Sequence, residues 1–343
     1  MKLLVEGVLA YMLNQATILI TGGTGSFGKA LVREILFKYK PKKLIVFSRD
    51  ELKQYEMAQE FSPEKYPMMR YFLGDVRDVD RLKQAMSGVE YVIHAAALKQ
   101  VPAAEYNPFE CIKTNINGAE NVIQSAIYNR VKRVVALSTD KAANPINLYG
   151  ATKLASDKLF VSANHLSGEA KTRFSVVRYG NVIGSRGSVI PFFMKFISDG
   201  KKTLPITDPR MTRFWITLQQ GVQFVLDCLQ RMEGGELFVP KIPSMKIVDV
   251  ARTLLPECDF SVTGIRPGEK IHEILVSSGD AYHTIEFDTY YVIQPAFHWW
   301  DKHAFMTSNG GKHVSDDFEF RSDNNAQWLT PTELLKLISL NNA

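Results

Sequence analysis

The sequence predicts an α/β fold, in which a doubly wound parallel sheet is followed by a smaller C-terminal lobe. In the first half, short apolar runs alternate with longer amphipathic stretches, the pattern of parallel strands joined by helices. After about residue 178 this alternation stops, and glycine and proline interrupt shorter elements. We therefore divide the chain into an N-terminal extension (1–14), a sheet domain (15–180) and a lobe (181–343) that is interleaved with the sheet domain.

Six apolar runs are the predicted strands of this sheet. They cover residues 17–21, 43–47, 70–73, 91–94, 131–138 and 174–178, with helices predicted over, for example, 29–40 and 119–129. Ligands of such sheets bind at the carboxyl ends of the strands. Every motif described below follows a strand, so the motifs are expected to meet at one edge.

Composition and charge argue against a nucleic-acid-binding protein. The 343 residues carry 41 lysines and arginines against 36 acidic residues, a formal charge of +5. Long basic runs and aromatic–basic repeats, which are typical of nucleic-acid binders, do not occur in the sequence. A mildly basic cleft for an anionic small molecule remains compatible with this charge.

The three cysteines, Cys111, Cys228 and Cys258, are widely spaced and form no CxxC pair, which favours neither disulfides nor zinc and fits a reducing, cytoplasmic location. The apolar start of the chain is interrupted by Glu6 and is not expected to be a signal peptide. We expect residues 1–14 to be either a disordered extension or the result of a start placed upstream of Met12. No apolar stretch approaches the roughly 20 residues of a membrane span.

A glycine-rich turn follows the first predicted strand. Gly22, Gly25 and Gly28 are spaced so that the backbone can approach a pyrophosphate at the start of a helix, with Thr24, Ser26 and Phe27 in the same loop. A glycine pattern alone also fits a plain tight turn. Its position between a strand and a helix favours a Rossmann-type dinucleotide site.

The ends of the next three strands supply further candidate cofactor contacts. Ser48 and Arg49 replace the carboxylate that is typical of NAD sites and favour the 2′-phosphate of NADP. Asp50 lies late for a ribose contact and is predicted to cap a helix. The remaining candidates in these segments are Lys53, Asp75, Val76 and Ala95. Asp75 and Val76 would flank the adenine. The alternative role for Ala95 is simple core packing.

Tyr149 and Lys153 are four residues apart, which places them on one face of a helix. A lysine ammonium beside a tyrosine stabilises the phenolate, so Tyr149 is predicted to take a proton near neutral pH. Such a tyrosine oxidises an alcohol together with a nicotinamide. Asp140 and Lys141 add an acid and a base, which elimination of water beside a new ketone requires and oxidation alone does not.

These motifs together resemble the extended short-chain dehydrogenase/reductase family. Within it the chain is similar to the inverting UDP-N-acetylglucosamine 4,6-dehydratases of pseudaminic acid synthesis for flagellin glycosylation. The segments that carry the resemblance are 22–28 (GGTGSFG), 94–102 (HAAALKQVP), 139–142 (TDKA), 149–153 (YGATK), 178–181 (RYGN), 185–189 (SRGSV), 211–214 (MTRF) and 264–270 (GIRPGEK). The resemblance runs from about Met12 almost to the C-terminus.

The resemblance implies a catalytic role for each residue of the 139–153 region. Tyr149 would deprotonate the sugar 4-hydroxyl while hydride leaves C4 for NADP, Lys153 would hold the nicotinamide ribose, and Thr139 would bind near the 4-oxygen. Lys141 would then remove the acidified C5 proton and Asp140 would protonate the departing 6-hydroxyl. Return of hydride to C6 and reprotonation of C5 from the opposite face would give an inverted 6-deoxy sugar.

Lys141 is the residue that discriminates this reaction, because relatives that retain the C5 configuration typically carry an acidic residue after the aspartate. To act as a base, Lys141 must lose its proton, which burial and a nearby cofactor would favour. The alternative is a structural ion pair between Lys141 and a nearby carboxylate.

The resemblance also assigns UDP-GlcNAc as substrate and the C-terminal lobe as its binding region. Its contacts would be Lys99, which also touches the cofactor, Tyr149, Asn181, Arg213, Arg266 and Glu269. Both arginines suit the diphosphate because a guanidinium matches phosphate oxygens. A homo-oligomer, a dimer or a hexamer, is expected.

Two other functions compete with this one. A nucleotide-sugar 4-epimerase would also use Tyr149 and Lys153 but would leave Asp140 and Lys141 without a task. A catalytically dead dinucleotide sensor or scaffold would typically lack the tyrosine or the lysine, and both are present. No metal site is predicted, because His298 and His303, which lie beside two tryptophans, are not spaced like metal ligands. His94 is interpreted as a structural histidine.

Overall fold

The computed structural model describes residues 2–184, 188–297, 300, 305–306 and 310–342, and side chains are considered only between residues 7 and 340. The strands are β1 Thr17–Thr21, β2 Lys43–Ser48, β3 Met69–Leu73, β4 Tyr91–His94, β5 Arg133–Thr139, β6 Arg173–Tyr179, β7 Asn181–Val182, β8 Thr203–Ile206, β9 Thr212–Ile216, β10 Leu237–Pro240, β11 Ser244–Lys246, β12 Asp259–Val262, β13 Ile274–Val276, β14 Thr284–Glu286, β15 Tyr290–Ile293, β16 Lys312–His313 and β17 Phe320–Arg321.

Helices connect most of these strands. They are α1 Lys2–Leu13, α2 Ser26–Lys38, α3 Glu51–Glu60, α4 Val79–Ala85, α5 Val101–Tyr106, α6 Pro108–Ile112, α7 Gly118–Tyr128, α8 Leu148–Leu166, α9 Val189–Ser198, α10 Leu218–Arg231, α11 Ile247–Leu254, α12 Ser278–Ala281 and α13 Pro331–Asn342. A π-helical turn covers Lys113–Asn117, and 3₁₀ turns cover Asp140–Ala142 and Gly168–Ala170.

The main sheet has the strand order β16-β14-β15-β10-β6-β5-β4-β1-β2-β3 among the described residues. From β3 to β10 all neighbours are parallel, and β14, β15 and β16 add an antiparallel edge. Parallel strands that are buried on both faces are rich in apolar residues, and every residue of β1 and β4 is buried, including Thr17, Thr21 and His94. The α/β class and the Rossmann-like parallel sheet are confirmed, with the six predicted strands within two residues of the observed bounds.

A smaller lobe forms from three short sheets, with orders β11-β9-β7, β12-β8 and β13-β17, together with α9, α11 and α13. It has a core of its own, which includes Phe193, Trp215 and Leu334, whereas the buried apolar residues of β13 and β17 (Leu275, Val276 and Phe320) belong to the core of the main sheet. The chain after residue 181 supplies both this lobe and β10, β14, β15 and β16 of the main sheet. The two parts are therefore interleaved along the chain.

The start of the chain is a helix, so the expectation of a disordered extension is wrong. Leu9 and Leu13 of α1 are fully buried in the core of the main sheet, and α1 packs against α10. Burial of these leucines compensates the entropy lost when the segment becomes ordered. Among the residues that the structure describes, no helix combines the length and apolar character needed to cross a bilayer.

Candidate active site

A single cavity of about 1170 Å³ opens along the carboxyl ends of β1, β2, β4 and β5 and continues under the smaller lobe. Every residue that the sequence proposed for cofactor, catalysis or substrate borders it. Part of one motif, residues 185–187, lies outside the described residues, as do His298 and His303. The cavity therefore brings together motifs that are up to about 250 residues apart in the chain.

At two glycines of the turn after β1, the main chain lies so close to other backbone atoms that a side chain would not fit. Gly22 has a φ of +66°, and a Cβ there would lie 2.8 Å from the backbone of Ala96. At Gly28 a Cβ would lie 2.4 Å from the backbone of Gly23. Gly25 begins α2 without a side-chain cap, so the first N–H groups of this helix are left for a ligand at the cavity wall. This geometry fits a dinucleotide pyrophosphate.

Replacement of Gly28 with alanine is expected to destabilise the protein by about 1–3 kcal/mol and to weaken dinucleotide binding, because backbone must move to admit the methyl group. Thermal unfolding and a dinucleotide titration measure the two effects. Gly221→Ala in α10 is the matched control, since its nearest atom would lie 4.0 Å away. Equal stability of the two variants would contradict this prediction.

Cationic side chains surround the end of β2. Asp50 caps α3 and accepts from the Lys53 amide (3.0 Å), which confirms its predicted role as a helix cap. Its second oxygen accepts from the Lys53 ammonium, so this carboxylate is engaged with its own helix. The Arg49 guanidinium is half exposed and lies 3.5 Å from Asp75. Among the described residues, the end of β2 therefore presents two cations to the cavity, Arg49 and Lys53, each of them paired with a carboxylate.

The loop after β4 is held by a residue that the sequence did not single out. Asn115, in the π-helical turn, accepts from the Leu98 amide (2.9 Å) and donates to the Leu98 carbonyl (2.9 Å) and to Thr152 (3.0 Å). These bonds join the loop that carries Ala95 and Lys99 to the helix that carries Tyr149. Short π-helical turns are common at functional sites, but a sequence pattern does not reveal them.

His94, which ends β4, is buried, and its Nδ1 lies 2.8 Å from the Thr21 hydroxyl. Burial lowers the pKa of His94 to about 3, and the charge of Lys153 acts in the same direction. The ring is therefore neutral near pH 7, which agrees with a structural histidine.

This depressed pKa predicts acid sensitivity. Below the ordinary histidine pKa of 6.5 only the unfolded chain takes up the proton, so stability falls with pH until the folded-state value is reached. Between pH 7 and pH 5 we expect His94 to remove about 2 kcal/mol from the free energy of unfolding. Urea titrations at both pH values would show a smaller loss in His94→Gln. Identical losses in the variant and the wild type would refute the assignment.

The strand β5 and the helix α8 position the candidate catalytic residues. Asn147 caps α8 by accepting from the Gly150 amide (2.7 Å), which fixes the first turn that carries Tyr149. Tyr149 and Lys153 lie on the buried side of α8 and border the cavity. Asp157, one turn further on, accepts from Ser138 (2.7 Å) and Arg178 (3.3 Å) and is buried behind Lys153. The sequence analysis missed Asp157, which follows Lys153 at the same spacing of four.

The acidity of Tyr149 differs from the sequence prediction. Burial raises the pKa of Tyr149 to about 12, although Lys141 and a hydrogen bond with Thr139 act in the opposite direction. Burial also lowers the pKa of Lys153, which the nearby Asp157 partly offsets. The expectation of a phenolate near neutral pH in the free protein is therefore wrong. The physical reason is desolvation, which exceeds the effect of the neighbouring cations.

Lys141 lies between two carboxylates. Its Nζ is 3.1 Å from Asp140 Oδ1 and 3.4 Å from Glu273 Oε1. Burial by itself lowers the pKa of Lys141, but Asp140 and Glu273 outweigh burial and raise it above the ordinary value. The expectation that burial frees the amine is wrong for this arrangement, and the ion pair left open as an alternative is present.

Asp140 is buried, and burial raises the pKa of its carboxyl group despite the opposing charge of Lys141. Its Oδ1 accepts from the Thr139 hydroxyl (2.9 Å), and its Oδ2 has no partner among the described residues. A raised pKa favours the protonated form of a carboxyl group, which is the form that a general acid uses.

The predicted substrate contacts fall into two groups. Asn181, Arg266 and Glu269 border the cavity. Asn181 Oδ1 is buried without a partner in the described part of the chain, whereas Arg266, whose side chain is 62% exposed, lies 3.9 Å from the Glu269 carboxylate. Lys99 also borders the cavity. The pKa of Lys99 is lowered, chiefly by burial and in addition by the positive charge of Lys141.

Arg213 belongs to the second group and corrects the prediction of a diphosphate contact. Its guanidinium donates to the carbonyls of Thr212 (2.7 Å), Lys270 (3.0 Å) and Ile271 (2.9 Å) and contacts Met211 Sδ, while its Nε lies 3.5 Å from Glu273. All of its N–H groups are thus directed at the protein itself. The side chain holds the loop before β13 rather than presenting a free fork to the cavity.

The parallel sheet, the glycine turn at the start of α2 and the paired tyrosine and lysine on α8 define the extended short-chain dehydrogenase/reductase class. A family model described as Polysaccharide biosynthesis protein matches residues 18–295. The chain is 59% identical over 332 residues to the UDP-N-acetylglucosamine 4,6-dehydratase (inverting) of Campylobacter jejuni subsp. jejuni serotype O:2, covering 96% of this chain and 98% of the relative. The chain belongs to this polysaccharide biosynthesis family and, within it, to the family of these dehydratases.

The chain is similar to two further proteins. The chain is 43% identical over 289 residues to the UDP-glucose 4-epimerase of Rickettsia akari, covering 82% of this chain and 84% of the relative. It also resembles the X-ray structure of Pen from Bacillus thuringiensis with a TM-score of 0.85 and 36% identity, covering 96% and 99% of the two chains.

Proposed function

We propose that this chain is an inverting UDP-GlcNAc 4,6-dehydratase that forms UDP-2-acetamido-2,6-dideoxy-β-L-arabino-hex-4-ulose. The observation that carries the proposal is the placement of Asp140 and Lys141 beside Tyr149 in one cavity. A 4-epimerase needs the tyrosine but has no use for the acid and the lysine. The high identity to an inverting dehydratase along nearly the whole chain supports the same reaction.

The cofactor we propose is NADP, which when bound supplies the hydride-accepting and hydride-returning chemistry of the reaction. The amides at the start of α2, from Ser26 onward, would hold its pyrophosphate. Arg49 and Lys53 would hold the 2′-phosphate, with Ser48 beside them. This assignment is supported by the engagement of Asp50 as a helix cap, which leaves no carboxylate at this point to bind an unphosphorylated ribose.

In the oxidation step Tyr149 takes the proton of the sugar 4-hydroxyl, and Thr139 and Lys153 orient the groups around it. Because burial holds the tyrosine proton tightly in the free protein, the residues that favour the phenolate must act within the assembled site. Lys141 and Thr139 are the two neighbours that do so in this structure.

In the elimination step Asp140 donates its proton to the departing 6-hydroxyl, and Lys141 receives the C5 proton. Lys141 must first give up a proton, and the Asp140 carboxylate, 3.1 Å away, is placed to receive it. This transfer gives the free amine and the carboxylic acid that elimination requires; the raised pKa of Asp140 favours it, whereas the raised pKa of Lys141 opposes it. The rate of elimination therefore depends on when Lys141 loses its proton.

The nucleotide sugar is proposed to lie under the smaller lobe. Arg266 and Lys99 would contact the diphosphate, Asn181 a phosphate or the sugar, and Glu269 the uridine ribose. The product is proposed to enter pseudaminic acid synthesis for flagellin glycosylation, and the enzyme to act as a homo-oligomer, a dimer or a hexamer, in the cytoplasm.

Incubation of the purified protein with UDP-GlcNAc in deuterated water, followed by proton NMR, tests the function. We expect a new methyl signal, deuterium at C5 and the L-arabino configuration. A D-xylo product would contradict the inversion, and UDP-GalNAc without a methyl signal would establish the 4-epimerase instead. Mass spectrometry of the cofactor released by denaturation is expected to give NADP, and recovery of NAD alone would contradict the cofactor assignment.

A further inference from the structure

Glu273, which immediately precedes β13, is a buried carboxylate at the cavity wall for which sequence motifs gave no role. Its side chain is 3% exposed. The main chain is fixed on both sides by Ser322, whose hydroxyl accepts from the Glu273 amide (2.9 Å) and whose amide donates to the Glu273 carbonyl (2.9 Å). Such anchoring places the carboxylate at a defined point in the smaller lobe.

Two cations hold this carboxylate. Glu273 Oε1 lies 3.4 Å from Lys141 Nζ and 3.5 Å from Arg213 Nε. Arg213 is itself bound to three backbone carbonyls, so it is a fixed cation. The Glu273 Oε2 atom is buried and has no partner in the described part of the chain. Ionised Glu273 is therefore the anion that links the lobe to Lys141.

Lys141 joins Glu273 to Asp140, since its Nζ contacts both carboxylates. The other charged or titratable groups that interact electrostatically with Lys141 include Arg213, Tyr149, Lys99 and Lys270. None of these four is a carboxylate, so Asp140 and Glu273 are the two anions described at Lys141. Burial raises the pKa of Asp140, whereas the pKa of Glu273 is lowered because Lys141, Arg213 and Lys270 outweigh its burial.

We propose that Glu273 is the positioning residue of the elimination step: anchored by Arg213, its carboxylate holds the Lys141 ammonium at the cavity wall and controls when Lys141 and Asp140 exchange protons. This inference deepens the proposed function and rests on it for the role of Lys141. Glu273 acts through Lys141 and is not assigned a contact with the sugar.

The sign of the effect follows from electrostatics. Removal of a negative charge lowers the proton affinity of every neighbour, so both Lys141 and Asp140 release protons at lower pH when Glu273 becomes neutral. Elimination requires a free amine on Lys141 and a proton on Asp140. Both limbs of its pH profile therefore move in the same direction.

Glu273→Gln tests the proposal, with single-turnover elimination measured across pH by deuterium incorporation at C5. We expect the whole profile to move about one pH unit or more toward acid. The profile of the preceding C4 oxidation is expected to move less, because Tyr149 responds to the charge of Lys141 and only through it to Glu273. Glu273→Asp, which retains the charge, is expected to restore much of the wild-type profile.

A second readout needs no substrate. The rate at which an amine-reactive reagent labels Lys141, followed by peptide mass spectrometry across pH, is expected to rise at lower pH in Glu273→Gln than in the wild type. Glu286→Gln is the matched control, because Glu286 pairs with Lys241 at 2.7 Å on the antiparallel edge of the main sheet. That control is expected to leave both the labelling of Lys141 and the elimination profile unchanged.

Unchanged labelling and an unchanged elimination profile in Glu273→Gln would overturn the proposal. Equal loss of oxidation and elimination in both Glu273 variants, with a lower unfolding temperature, would also overturn it in favour of a purely structural role. If the wild type converts UDP-GlcNAc only to its 4-epimer, the proposed function fails and the elimination role of Glu273 with it. The labelling result would still decide whether Glu273 controls Lys141.

Discussion

Replacement of Tyr149 with phenylalanine is expected to reduce formation of the 4-keto-6-deoxy sugar by about 10³-fold. The reason is that phenylalanine lacks the phenolic oxygen that is proposed to accept the proton of the sugar 4-hydroxyl. The ring keeps its packing, so folding is expected to be unaffected. Oxidation precedes elimination in this reaction. The variant should therefore fail at the first step, and absorbance of the reduced nicotinamide should not rise after mixing with UDP-GlcNAc.

Tyr291→Phe provides the matched control for this prediction. Tyr291 lies on β15 in the core of the main sheet, and burial raises its pKa to about 12, as it does for Tyr149. Loss of this second buried hydroxyl is expected to leave turnover near the wild-type value. Substantial reduction of the cofactor by Tyr149→Phe would show that another group takes the proton.

Replacement of Lys141 with methionine is expected to lower product formation by about 10²-fold or more, while C4 oxidation continues at a reduced rate because Lys141 also favours the Tyr149 phenolate. Methionine keeps the length of the side chain but removes the nitrogen that receives the C5 proton. Reduced cofactor is therefore expected to accumulate with the 4-keto sugar still carrying its 6-hydroxyl. Stopped-flow absorbance and mass spectrometry of the quenched mixture measure these two species.

Lys241→Met is the control for removal of a partly buried, ion-paired lysine. Lys241 pairs with Glu286 at 2.7 Å outside the proposed catalytic group, and its side chain is 18% exposed. We expect this variant to dehydrate UDP-GlcNAc at close to the wild-type rate. Dehydration by Lys141→Met at the wild-type rate would show that Lys141 is only a structural ion pair.

The two variants are expected to stop the reaction at different points, which makes them informative together. Tyr149→Phe should leave oxidised cofactor and intact substrate, whereas Lys141→Met should leave reduced cofactor and a 4-keto sugar. A 4-epimerase would need Tyr149 but would tolerate the loss of Lys141. The pair therefore separates the two functions that the sequence and its relatives support.

Much of the fold was predictable because its signals are local. A parallel strand that is buried on both faces is mostly apolar, so β1 and β4 were recognisable as short, mainly apolar runs. The turn at Gly22 needs a residue that tolerates a positive φ and a close approach to Ala96. The separation of Tyr149 from Lys153 by one helical turn placed both on one face.

Other features depended on contacts that sequence spacing does not encode. The N-terminal helix is ordered because Leu9 and Leu13 pack into a core built from distant segments. The acidity of Tyr149 depends on how completely the fold removes water from it. Motif spacing names a side chain and its neighbours on one element, but it gives neither burial nor the partners contributed by other elements.

The sequence by itself determined the class of fold, the glycine turn before α2 and the pairing of Tyr149 with Lys153, since periodicity and turn geometry are properties of short segments. Only the tertiary structure decided which charges meet. It brings Glu273 to Lys141 across 132 residues of chain and directs the donors of Arg213 into the protein rather than toward a ligand. Electrostatic interactions depend on distance and solvent exclusion, and both are set only once the smaller lobe has folded against the sheet.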